Sequence, residues 1–239
     1  MTDYNPSGII ILDKPKGITS HDAVNLVRCL YKTKRVGHAG TLDPLATGVL
    51  VILLGKSTKL SQHIVNSNKE YDITMKLGVS TDTGDALGKV ITESPLKGMD
   101  EVLIKNTIMA FEGETKQIPP MYSAVKHKGV SLYKLARKGI AVERQPRLIY
   151  IEHIEVKKIE MPYVSFKAIC SKGTYIRQLC VDIGARLGCG AHVTELRRVS
   201  SGDFHLDDAI SFDELKSMSR DSLDNILLRH EHAALGVHD

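Results

Sequence analysis

Apolar and polar positions along the chain alternate between two rhythms. GIIILDK (8–14) is a continuous branched run that Pro15 and Gly17 stop, so it reads as a strand ending in a turn. Thr19-Ser20-His21-Asp22 then has the spacing of a weak capping box, and Val24, Val27 and Tyr31 recur at helical intervals, which predicts a helix after Thr19. GVLVILLG (48–55) is short, branched and bounded by glycines, the signature of a buried strand, and a short helix is expected over 57–65. KEYDITMKLG (69–78) alternates instead, putting Tyr71, Ile73, Met75 and Leu77 on one face of a half-buried strand. A further strand is expected at 88–92.

Ile104, Ile108 and Phe111 mark an amphipathic helix from about Asp100 to Gly113, and the prolines of QIPPMYSAV (117–125) keep that stretch extended. SLYKLARK is a short helix closed by Gly139, and 148–159 and 163–171 form a hairpin around Met161-Pro162. From Thr174 a helix carries the stripe Ile176, Leu179, Cys180, Ile183 and Leu187, with Tyr175 and Arg177 in its first turn and Gly188 and Gly190 at its end. AHVTELRRVSSGDF (191–204) is strand-like, two helical pieces follow at about 211–218 and 222–229, and the tail after Leu228 reads as frayed. Strands and helices intermix without strict alternation. The pattern implies one mixed α+β domain over residues 1–239 with a basic insertion at about 118–147, and excludes a doubly wound sheet.

Composition narrows this. With 239 residues and 42% hydrophobic side chains the chain can bury a full core. Its longest apolar run, 49–54, falls far below the roughly 18 residues that span a bilayer, and the polar start MTDYNPSG is no signal peptide, so a cytoplasmic location is expected. Four cysteines without CxxC spacing suggest reduced, structural thiols and no zinc. The net charge of +4 is uneven: residues 126–147 carry seven Lys or Arg against one Glu, and Lys32, Lys34 and Arg35 form a second cluster. Such runs suit phosphates, although a solvated face is the plainer reading of charge alone.

The stretch GHAGTLDPLATGVL (37–50) surrounds one carboxylate, Asp43, with glycines and apolar residues, unlike an ordinary polar connection. The plainer role for Asp43 is a cap or turn acid before Pro44. Other motifs fail on inspection. GKS at 55–57 lacks the glycine a phosphate loop needs, because position 50 is Leu. Asp82 and Asp85 in TDTGD read as turn acids bonded to their own backbone, and His230, His232 and His238 lack metal-helix spacing. No Ser/His/Asp set or neighbouring acid pair suggests a hydrolase.

Taken together, GHAGTLDPLATGVLVILLGKSTKL, KEYDITMKLGVSTDTGD, QIPPMYSAVKHKGVSLYKLARKG, GTYIRQL and ELRR resemble the bacterial tRNA pseudouridine-55 synthases, the TruB-type family, in order and spacing over residues 8 to about 204. The resemblance implies a pseudouridine synthase fold, a curved, largely antiparallel mixed sheet flanked by helices with a catalytic cleft. It also implies isomerisation of a uridine in the T-arm of tRNA, without cofactor, metal or energy source. A stand-alone monomer is expected, without guide RNA; a guide-RNA-dependent relative and a non-catalytic tRNA-binding chaperone are the competing readings. Family members usually continue into a small RNA-binding PUA domain, for which no counterpart is expected here.

By resemblance Asp43 is the catalytic aspartate, acting either by attack on the ribose C1′ or by removal of a 2′ proton; both routes need an ionised carboxylate close to the sugar. Arg177 matches the arginine that pairs with that aspartate, which agrees with the need to keep a carboxylate charged in an apolar cleft. Tyr71 is expected to stack on the flipped uracil and take part in the loss of the C5 proton, Tyr175 and Leu196 to line the uracil pocket, and His38 to brace the gap the nucleotide leaves. Lys14 supports the site from the neighbouring strand. In the family the basic insertion closes on the T-loop, so Lys126, Lys128, Lys134, Arg137 and Lys138 are expected to meet phosphates. Outside that context each of these residues would pass for a core or surface position.

Overall fold

A computed structural model describes residues 6–228, so the tail histidines lie outside the described residues. The chain divides into two compact units, residues 1–71 with 197–239, and residues 72–196.

The first unit opens with strand β1 (Gly8–Lys14) and helix α1 (Ser20–Leu30). Thr19 caps α1 through the expected box, its hydroxyl accepting from the Asp22 amide while the Asp22 carboxylate accepts from the Thr19 amide at 2.8 Å. Such a cap is worth about 1 kcal/mol. Strand β2 (Val36–Ala39) follows, then β3 (Thr47–Leu54), a 3₁₀ turn over 55–60, and α2 (Ser61–Asn66). β1 and β2 both run antiparallel to β3, Ile10 opposite Ile52 and His38 opposite Ile52. β3 is buried on both faces, which is why its sequence is an unbroken apolar run. On one face Val49, Val51 and Leu53 pack with Ile9, Ile11, Ala39 and Ile64.

Strand β4 (Lys69–Leu77) carries the chain into the second unit. There follow the hairpin β5 (Val79–Thr81) and β6 (Val90–Glu93), helix α3 (Glu101–Met109) capped by Asp100, and strand β7 (Gly113–Gln117). The insertion folds as a small hairpin, β8 (Lys126–His127) and β9 (Val130–Ser131), turned by Lys128 and Gly129 at positive φ, and helix α4 (Leu132–Ala136). β10 (Arg147–Glu160) and β11 (Tyr163–Cys170) form the expected hairpin, and β7 pairs with β10 along the opposite edge. Helix α5 (Ile176–Arg186) buries Leu179, Cys180 and Ile183.

Strand β12 (Ala191–Ser201) returns the chain to the first unit. β13 (Phe204–His205) folds back on β12, β14 (Ile210–Ser211) adds parallel to β1, and α6 (Phe212–Ser217), α7 (Arg220–Leu223) and a 3₁₀ turn over 224–226 follow. One strand was not expected and one expectation shifts. The sequence 113–117 is a strand although its residues, GETKQ, carry little strand propensity; pairing with β10 forms it. The stretch 37–50 is not one loop, because β2 takes its start and β3 its end, leaving 40–46 as the connection. None of the four cysteines is in a disulfide, and no helix among the described residues is long and apolar enough to cross a membrane.

Candidate active site

Asp43 lies half-buried in the 40–46 connection, which is held to the rest of the first unit by three sets of hydrogen bonds and closed on itself by one more. The Ser20 hydroxyl, at the start of α1, donates to Leu42 O (2.9 Å) and accepts from the Leu42 amide (2.8 Å). The Gly17 amide donates to Pro44 O at 2.8 Å, and the Ala46 amide closes a turn on Asp43 O at 3.1 Å. From β12, the Arg198 guanidinium reaches Gly40 O at 3.0 Å. The backbone around Asp43 is therefore built as firmly as a secondary element.

The charges around it are unusual. Lys14, at the end of β1, has no solvent exposure, and its ammonium donates to Pro15 O (2.8 Å) and Ile18 O (2.9 Å). Burial lowers its pKa to about 8, the Asp43 carboxylate opposes that fall, and the Arg198 charge adds to it. The amine is thus mainly cationic at neutral pH, facing the Asp43 charge. His38, on β2, has its pKa lowered by burial and then by the charges of Arg198 and His21, which favours the neutral imidazole; its buried Nδ1 has no hydrogen-bond partner among the described residues. Tyr71 is 8% exposed on β4, with its ring on the alternating buried face.

Gly48 sits opposite Arg198 in the parallel β3–β12 pairing. Its φ of +96° and the 2.2 Å that would separate an added Cβ from Arg198 O require glycine there, a close approach within the protein itself.

In the second unit Tyr175 is the N-cap of α5, one position before the helix and not in its first turn as expected. Gln117 grips its backbone twice, accepting from the Tyr175 amide (2.8 Å) and donating to Tyr175 O (3.1 Å). Arg177 is only 5% exposed, so it is no solvent-reaching helix residue. Its Nη1 donates to Thr83 O and its Nη2 to Tyr122 O, both at 2.7 Å, and its Nε lies 3.7 Å from Asp85 Oδ2. Asp85 accepts from the Leu87 amide and Asp82 from the Lys89 amide, as turn acids should, but Asp85 also serves Arg177. Leu196, near the end of the unit on β12, is 8% exposed. Lys126, Lys128, Lys134, Arg137 and Lys138 are all on the insertion and all exposed, and its helix is anchored by buried Leu132 and by the Leu132 and Tyr133 amides donating to Val125 O and Ser123 O.

Sequence reasoning missed Ser20, Arg198, Gln117 and Asp85 as supports. Each acts on backbone or on a distant residue, and their types and spacing carry no signal of that role. No metal-binding group of His, Cys, Asp or Glu occurs among the described residues.

Comparison with known proteins gives a consistent picture. Residues 28–176 match the family model for the TruB family pseudouridylate synthase N-terminal domain, and 177–234 that for the tRNA pseudouridylate synthase B C-terminal domain, beyond the last block read from the sequence. The chain is 52% identical over 209 residues to the tRNA pseudouridine synthase B of Clostridium tetani, covering 87% of this chain and 72% of that protein. It is 43% identical over 230 residues to the one of Opitutus terrae, covering 96% and 95%. Among solved structures, a chain of a Cbf5-Nop10-Gar1 complex superposes with a TM-score of 0.69 at 35% identity, over 87% of this chain and 53% of that one. A chain of an H/ACA RNP bound to a substrate RNA containing 2′-deoxyuridine gives 0.66 at 32%, over 87% and 52%. This chain thus spans about half the length of those two.

Proposed function

Because the chain belongs to the TruB family of pseudouridylate synthases, we propose that it isomerises uridine-55 in the T-arm of tRNA to pseudouridine, with Asp43 as the catalytic carboxylate. One observation supports Asp43 above all: it is the sole acid on a connection held by Ser20, Gly17 and Arg198, with the buried Lys14 ammonium feeling its charge.

The chemistry begins with the target nucleotide leaving its stack, at a cost of a few kcal/mol that pocket contacts must offset. Tyr71 offers a ring for stacking and His38 a neutral imidazole to brace the vacated gap. Asp43 then acts at the ribose, by addition at C1′ or removal of a 2′ proton. The N1–C1′ bond breaks, the uracil turns, a C5–C1′ bond forms as the Asp43–C1′ bond breaks or the 2′ proton returns to the sugar, C5 loses its proton to solvent and N1 carries one instead. Atoms balance without cofactor or metal. Tyr175 and Leu196 would line the uracil, and Arg177 would pair with the Asp43 carboxylate. Its guanidinium is held in one orientation by Thr83 O, Tyr122 O and Asp85, which suits that role.

The cations of the insertion would meet T-loop phosphates, and a tRNA-modifying enzyme of this kind is expected to work alone as a monomer in the cytoplasm. Purified protein mixed with a T-arm hairpin bearing tritium at uridine C5 tests the reading. Release without guide RNA is expected from the wild type and not from Asp43→Asn, which should still bind the hairpin. Binding without release by the wild type would mean a chaperone, and release only with guide RNA a guided enzyme.

A further inference from the structure

At the edge of β3 two strands share one side. β2 pairs with residues 51–54, β12 with Thr47 and Gly48, and the connection bearing Asp43 leaves β2 and re-enters β3 between them. Arg198 stands at that junction. It is 1% exposed, and its Nε donates to Val49 O at 2.7 Å while its Nη2 donates to Gly40 O at 3.0 Å. Those two carbonyls bracket the 41–46 segment. A Cβ at Gly40, where φ is +89°, would come within 3.4 Å of Nη1, so the turn is shaped around the guanidinium.

None of the described carboxylates lies within ion-pair distance of Arg198, although burying a cation without a counter-ion is costly. Its charge is felt by Lys14 on β1 and His38 on β2.

We propose that Arg198 is a positioning residue for Asp43, tying Gly40 at the start of the connection that carries it to Val49 of β3, the strand into which that connection runs. This rests on the isomerase reading above for its catalytic consequence, and on the hydrogen bonds alone for its effect on the loop. Displacing a reacting group by about 1 Å costs on the order of a hundredfold in rate, so a loosened connection should show in the chemical step and not in RNA binding.

The test uses the full chain carrying Arg198→Lys, which keeps the charge but not the forked donors, and Arg198→Gln, which keeps one donor but not the charge. Amide hydrogen exchange by NMR reads Leu42, whose amide is bonded to Ser20 Oγ, and Ala46, whose amide is bonded to Asp43 O, against ladder amides of β1 and β3. Both variants should exchange about tenfold faster at Leu42 and Ala46 with the ladder unchanged. Single-turnover tritium release should fall at least about 30-fold while hairpin affinity stays within about threefold. Unchanged loop exchange, equal acceleration across the ladder, or weakened affinity with an intact rate would each overturn the proposal. Should Arg198→Gln not fold, Arg198→Lys decides alone; should the wild type release no tritium, the isomerase reading fails and the exchange data still decide whether Arg198 holds the loop.

Discussion

Replacing Lys14 by Met tests the electrostatics of the site without RNA. In the folded protein the amine has a pKa of about 8 against 10.5 for an ordinary lysine, chiefly because burial disfavours its charge. Between those values the unfolded chain binds a proton that the folded chain has released, so stability must rise with pH across that window. The full difference corresponds to about 3 kcal/mol, present as a penalty below pH 8 and relieved by pH 10.5. From pH 7.5 to 10 the wild type should gain about 2 kcal/mol that Lys14→Met does not. Urea unfolding of both proteins over that range measures it, and groups common to both cancel in the difference. The absolute stability at one pH is a poorer measure, because Met also leaves Pro15 O and Ile18 O without their donor. Curves parallel within about 0.5 kcal/mol would refute the reasoning, since an amine buried beside Arg198 cannot titrate like one in water.

Gly48→Ala should destabilise by about 3–5 kcal/mol, combining a backbone conformation hostile to side chains with a Cβ 2.2 Å from Arg198 O, seen as a lowered urea midpoint at unchanged slope. Gln117→Leu should free the Tyr175 backbone and lower the single-turnover rate about tenfold or more with hairpin affinity little changed; an unaltered rate would show that α5 sets Tyr175 without it. Changing Lys126, Lys128, Lys134, Arg137 and Lys138 together to Gln should reduce the salt dependence of tRNA binding by about 0.7 to 0.9 in log–log slope for each phosphate these side chains neutralise. An unchanged slope would place the phosphate-binding cations elsewhere.

Much of this molecule was legible in its sequence, and for local reasons. β1, β3 and β4 declare themselves because burial on one or both faces imposes its period on the residues, and α1 because Thr19 and Asp22 close their cap within four positions. Asp43 stood out as a lone acid among glycines and apolar residues, but it was the five blocks pointing to the family that set it above a cap or turn acid before Pro44. What the sequence could not express is who holds whom. β7 has no pattern of its own and exists by pairing with β10. Gly48 reads as turn freedom until β12 is laid against it, and Asp85 as a turn acid until Arg177 comes up to it. Ser20, Gln117 and Arg198 bond to backbone carbonyls and amides 22, 58 and up to 158 positions away, and a carbonyl leaves no mark in the residue that bears it. Periodicity records the environment of a side chain, whereas the supports of Asp43 depend on hydrogen bonds to main chain that any residue could supply, so only the tertiary structure decided them.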